Sequence, residues 1–308
     1  MFLFATFTDP TERAGTDVRR TLWCGGGIGH RWRGHYRLRE VQAHTATAPV
    51  PQLAAVQGGS VSPSPPPAAD RDARLAAAVR NLDGHFSVAV LDVADGTGAT
   101  YEAGDSGTTY DTASIVKVDI LAALLLQAQD AGRTLTAQER AHAAVMIRSS
   151  DNAAATALWD AIGGADGLDA ANARLGLTGT SGGDGPRWGL TRTTASDQLA
   201  LLKQVFGVDE SVLGEASWTY VHELMATVER DQAWGVSAAG SAGAALKNGW
   251  RSRSADGLWD INSVGRVTAA GRHNLVAVVS QGNATKEAGI ALVEAVAQVA
   301  VAVVSAGA

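Results

Sequence analysis

Residues 85–92, HFSVAVLD, alternate apolar with polar or small positions and are rich in β-branched side chains, which predicts a strand. Asp95-Gly96 marks a turn, and residues 99–103 read as a second strand returning as a hairpin. Ahead of them, DRDARLAAAVRNL (residues 70–82) repeats its apolar positions at helical spacing. Several helices are expected from Ser114 to Phe206 and another over about 215–228. The strand pattern then returns at 244–250, about 259–268 and 273–281, with Gly271-Arg272 turning between the last two, and a long Ala/Val-rich helix closes the chain. Strands at both ends with helices between them predict an α+β fold: an antiparallel sheet built from chain-distant segments, flanked by helices, with an all-α subdomain inserted in the middle.

The pattern is missing from residues 1–69. Gly25-Gly26-Gly27 and the run SVSPSPPPAA (60–69) punctuate this part without supplying a core, and Pro65-Pro66-Pro67 favours extended polyproline geometry. It is expected to be a disordered leader and linker, a signal segment, or the product of a start codon assigned too far upstream. The folded domain is expected over 70–308. Met1–Phe7 is apolar but short, with no basic residue ahead of it, and Arg19-Arg20-Thr21-Leu22-Trp23 only faintly suggests a twin-arginine signal. Residues 287–308 approach the length of a membrane span, but Glu287 and Glu294 interrupt them, so a buried terminal helix is the better reading and no stable span is expected.

Charge narrows the partners. The first 68 residues carry a net +3 and the rest −9, giving −6 for the whole chain. An acidic body argues against nucleic acid as its partner. The single cysteine, Cys24, allows no intrachain disulfide, and the seven histidines show no metal-ligand spacing, so neither a metal nor another cofactor is expected.

Candidate chemistry lies in three motifs: Ser114-Ile115-Val116-Lys117, Ser150-Asp151-Asn152 and Lys247-Asn248-Gly249. The chain has only four lysines against 21 arginines, so lysine at two motif positions calls for a reason. An amine can lose its proton when buried, whereas a guanidinium effectively cannot. Ser114 opens a predicted helix, where free backbone N–H groups and the helix dipole favour a developing negative charge. Lys117 at i+3 shares its face, and the apolar helix beyond should depress its pKa. Ser149, Ser150 and Asp151 also read as a cap for the next helix, which is compatible with Ser150 facing a cleft.

In order and spacing the motifs resemble the penicillin-recognising serine enzymes, above all the class A β-lactamases. Flanking sequence extends the likeness: AAATALWDAIGGADGLDAANARLGL after Asn152, and Arg192-Thr193-Thr194-Ala195-Ser196-Asp197 opening an apolar helix. The resemblance covers roughly residues 70–308. It implies a β-lactamase/transpeptidase-like fold and a monomeric, exported serine hydrolase acting on a small β-lactam or peptide-like substrate. Carried over by residue, it implies Ser114 as nucleophile, Lys117 as general base or part of the base relay, and Ser150 as proton shuttle to the leaving nitrogen. Asn152 would hold the substrate acylamide and Lys247 its carboxylate. Gly249 would allow close approach of the substrate backbone, and the N–H of Trp250 would join that of Ser114 in an oxyanion hole. Two departures stand out. Asn248 occupies a position where the family usually has threonine or serine; it can still donate to a carboxylate, and Arg251, Arg253 and Arg266 are further candidates for that role. The class A family also carries an Ω-loop glutamate that activates the deacylating water. The matching stretch here, LTGTSGGDGPRWGLTRTT (177–194), has no glutamate, and Asp184 is its only acid. Acylation is therefore expected to be intact and deacylation slow unless Asp184 substitutes. A penicillin-binding D,D-peptidase or amidase, or a single-turnover β-lactam sensor, is the alternative.

Overall fold

The computed structural model describes residues 68–103 and 107–306. Residues 1–67, which hold nearly all of the expected leader, lie outside the described residues. The first helix, α1 (Ala68–Val79), starts two residues before the expected domain boundary. The hairpin follows as β1 (His85–Asp92) and β2 (Gly98–Glu102), and the chain-terminal strands as β5 (Ala242–Ser252), β6 (Trp259–Ala269) and β7 (Arg272–Asn283). These five form one antiparallel sheet in the order β2-β1-β7-β6-β5. Chain-distant β1 and β7 thus meet in the middle, His85 opposite Gln281 and Asp92 opposite Asn274. β5 lies at an edge.

Periodicity gave no warning of the short pair β3 (Tyr110–Asp111) and β4 (Arg192–Thr193), because two residues are too few for alternation to register. Between β3 and β5 come α2 (Val116–Asp130), α3 (Ala137–Arg148), α4 (Asn152–Ile162), α5 (Gly164–Leu175), α6 (Ala195–Val205) and α7 (Glu215–Met225). α8 (Lys286–Ser305) closes the domain.

Two apolar clusters hold these layers together. One lies between the sheet, α1 and α8, and includes Leu75, Val88, Val276, Val278, Val293 and Val296. α8 has the length and hydropathy of a membrane span, yet here its Val293, Val296, Ala297, Ala300 and Val304 face packs into this cluster. The other cluster centres on α2, which is buried on nearly every side; a helix apolar all round belongs inside a core. Burial of α2 fixes Lys117, on its first turn, in the interior.

Candidate functional site

Ser114 sits in a 3-10 turn, Ala113–Ile115, that leads directly into α2. The turn lies against edge strand β5 at Gly249. A Cβ on Gly249 would fall 2.7 Å from Thr112 O, 2.8 Å from Ser114 N and 2.9 Å from Ile115 N. Only glycine permits this contact, and what approaches so closely is the chain's own Ser114 turn. This is a reason for glycine at 249 besides the substrate approach expected from sequence. The same contact brings the backbone of Trp250, the next residue, beside that of Ser114. From the sheet side, Asn262 on β6 donates through Nδ2 to Asp111 O (2.9 Å) and Thr112 O (3.0 Å), and its Oδ1 accepts from Ser280 N (3.0 Å). Asn262 therefore ties the segment before Ser114 to two strands. No motif marked it, because an asparagine inside a strand carries no signal of its partner.

Lys117 is fully buried and its amine donates to Ser150 O (2.7 Å), Ser150 Oγ (3.0 Å) and Asn152 Oδ1 (2.8 Å). Lys247, 1% exposed, reaches the same hydroxyl from the other side, with Nζ 3.0 Å from Ser150 Oγ and 2.9 Å from Asn248 O. One hydroxyl thus bridges two lysines drawn from a helix and a strand. Burial pulls the Lys117 amine down to about 7, against an opposing pull from Asp151. Burial also lowers Lys247 well below the ordinary lysine value, and the nearby Lys117 adds to the effect. When one amine is neutral, it can accept the Ser150 proton while the other donates to the same oxygen.

Of the expected cap cluster for the next helix, Asp151 alone caps it, while Ser149 closes the preceding helix. Asp151 caps α4 by accepting from Ala154 N at 2.7 Å, and Ser149 Oγ bonds Val145 O at the end of α3. Ser150 between them is left to the two lysines, with φ +59°. Ala113, beside Ser114, has φ +47°. Among the described residues only four non-glycine positions adopt positive φ, and two of them flank this chemistry, where backbone strain often concentrates.

Ser114 opens into a cleft of about 520 Å³ shared with Asn152, Thr156, Trp188, Trp250 and Arg251. Trp188 and Trp250 therefore both line it. Trp188 lies with its ring centre 4.8 Å from Lys117 Nζ and its Nε1 donating to Thr156 Oγ1 at 3.1 Å. Trp250 is backed by Trp234 (ring centres 5.9 Å apart) and by Lys286 Nζ at 4.2 Å. Asp184, by contrast, points away: its side chain is 91% exposed, its partner is Arg187, and it lines a separate hollow with Gly182, Gly183 and Leu190.

The candidate carboxylate receptors fare unevenly. Asn248 is fully buried and turned from the cleft, with Nδ2 donating to Gln232 O (2.7 Å) and Trp234 O (3.0 Å). Arg251 bridges Asp111 (2.5 Å) and Asp260 (3.0 Å), Arg253 pairs with Asp256, and Arg266 meets His222 and the Phe206 ring.

The model of the beta-lactamase enzyme family matches residues 70–304 of this chain. The chain belongs to that family. Its fold is similar to a class A beta-lactamase representative from Bacteroides cellulosilyticus (15% identity, TM-score 0.64, 78% of this chain and 98% of that one covered). It also resembles a beta-lactamase from Chitinophaga pinensis (18%, 0.63, 75% and 97%). A third similar structure is a mutant of PBP-A solved as an acyl-enzyme complex with penicillin G (20%, 0.61, 77% and 97%). At these identities the likeness speaks to fold alone. No curated protein matches the chain. The family match spans nearly all of the described domain, and it leaves the work of individual side chains to be read from geometry.

Proposed function

We infer that this family member is a serine acyl-transfer enzyme of the class A β-lactamase type, acylated at Ser114 by a β-lactam or related amide. The observation that carries this reading is the Ser150 hydroxyl held 3.0 Å from both Lys117 Nζ and Lys247 Nζ, with Lys117 on the first turn of the helix that Ser114 leads into. In the neutral form Lys117 takes the Ser114 proton, directly or through Ser150 Oγ, as Ser114 Oγ attacks the substrate carbonyl. The N–H groups of Ser114 and Trp250 stabilise the resulting oxyanion. Ser150 then delivers the proton to the leaving nitrogen, and Lys247 restores the relay. Asn152, whose Oδ1 is occupied by Lys117, keeps its amide N–H groups for a substrate carbonyl.

Deacylation is the weak step. Trp188 lies over Lys117, no carboxylate among the described residues lines the cleft, and Asp184 faces away from it. A long-lived acyl-enzyme is therefore expected, which favours penicillin-binding peptidase or sensor behaviour as the second reading.

Intact-protein mass after mixing with benzylpenicillin, followed over time, tests both readings. A lasting adduct lost in Ser114→Ala supports slow deacylation. A transient adduct with product accumulating supports an efficient β-lactamase. No adduct at all defeats the β-lactam assignment.

A further inference from the structure

Lys247, Gly249 and Arg251 lie on one face of β5, because alternate residues of a strand point the same way. Along that face Lys247 meets Ser150 Oγ, Gly249 lies against Ser114 N, and Arg251 meets Asp111. At the usual strand rise, Lys247 and Arg251 are about 13 Å apart. Under the acyl-enzyme reading above, on which this inference rests, the Ser150–Lys247 end serves the leaving nitrogen. The Arg251 end then lies beside the acyl group that stays on Ser114. The open cleft belongs to this second end: Ser114, Asn152, Trp188 and Arg251 line it, whereas Ser150 and Lys247 do not.

The wall at the acyl end is positively charged. Arg187 and Arg251 both line the cleft, and among the described residues no carboxylate does. Arg251 spends a single nitrogen on its ion pairs, with Nη2 at 2.5 Å from Asp111 and 3.0 Å from Asp260. Nη1 makes no hydrogen bond among the described residues, and Nε is buried without a partner. Three of the five guanidinium N–H donors are therefore unspent, on a side chain whose orientation two aspartates fix. Arg187, 61% exposed, is held only through Asp184 at 3.3 Å, a pair that water screens. Lys286 Nζ, 4.2 Å from the Trp250 ring centre, adds a third cation beside this wall.

We propose that the cleft selects acyl donors whose acyl group itself carries a carboxylate. Arg251 Nη1 receives that carboxylate, Arg187 adds charge from the 177–194 segment, and Asp111 and Asp260 aim the guanidinium. The carboxylate is bound and not transformed. The Ser114 Oγ–carbonyl bond forms, the carbonyl–nitrogen bond breaks, and the nitrogen takes the proton that Ser114 gave up.

Benzylpenicillin and α-carboxybenzylpenicillin share the same ring carboxylate and differ only in a second carboxylate on the acyl side chain, so the pair isolates the charge in question. Acylation of the full chain by each is followed by intact mass at subsaturating concentration and fixed ionic strength, with Ser114→Ala as background. The doubly charged penicillin is expected to acylate about tenfold faster, the effect of one charge-assisted hydrogen bond. A ratio below about threefold overturns the proposal while leaving the acyl-enzyme reading intact. In Arg251→Gln the ratio is expected to fall to near one, and a ratio retained there overturns the assignment to Arg251. Because that change also unpairs Asp111 and Asp260, Arg187→Glu supplies a second variant at an exposed position outside their cluster. It is expected to lower the ratio by about threefold or more, and an unchanged ratio overturns the proposal. No adduct at Ser114 with either penicillin defeats the acyl-enzyme reading and the proposal together.

Discussion

The two sides of the Lys117 amine differ sharply. On one side, Ser150 and Asn152 take its hydrogens within 3.0 Å, and Lys247 closes the relay from β5. These groups come from three separate elements and are fixed by burial, capping and an edge strand. On the other side lies the 177–194 segment, which presents an indole to the amine and sends its one acid into solvent. The contrast teaches that one site can hold two buried amines around a shared hydroxyl while, among the described residues, no carboxylate lines its cleft. Family membership alone does not separate these two features.

The largest expected effect attacks the side with the two amines. Lys117→Met should slow acylation by about 10²–10⁴-fold, the range for a positioned proton-transfer group. In the unaltered protein the acylation rate should rise with pH through a midpoint at about 7 and level off above it. Burial lowers the amine to about 7, so the protonated, inactive form dominates below that value and the base form above it. A flat profile between pH 5 and 8, read by stopped-flow or quenched mass measurement, would remove Lys117 from the role of base. Next, Trp188→Glu puts a carboxylate beside Lys117 and should shorten the adduct lifetime by about tenfold or more; an unchanged lifetime would mean that the missing acid does not limit turnover.

Two substitutions probe the scaffold beneath the comparison. Gly249→Ala drives a methyl into the Thr112–Ile115 backbone, which has no side-chain slack to yield. It should cost about 1–3 kcal/mol in chemical denaturation and slow acylation as the Ser114 turn shifts. Asn262→Ala strands the carbonyls of Asp111 and Thr112 and the N–H of Ser280, at about 1–3 kcal/mol for a buried group left unpaired. Retained stability with lost acylation would mark it as a positioning residue only. The smallest effect belongs to Asp184→Asn: because that side chain is exposed and outside the cleft, adduct lifetime should not change.

Much of this was legible in the chain. The hairpin at β1, the terminal strands and the buried closing helix followed from alternation and length, and β1 appears with the boundaries its pattern gave. The scarcity of lysine pointed to two amines with unusual surroundings, and both are buried. What sequence missed depends on direction in space. Alternation along β5 separates Lys247 from Asn248, but which of them faces the cleft depends on how the 232–236 segment folds over the sheet. That segment captures Asn248. The placement of Trp188 against Lys117 joins residues 71 positions apart through a loop with no periodic pattern. Asn262 acts through main-chain carbonyls, which no residue pattern announces.

The left-handed backbone at Ala113 and Ser150 has a consequence for engineering. Glycine would occupy either position without steric penalty, so the chain does not sit at its own stability optimum there. A redesign guided by melting temperature alone would begin by relaxing these two residues. It would keep the backbone corners but lose, at position 150, the hydroxyl that the two amines share.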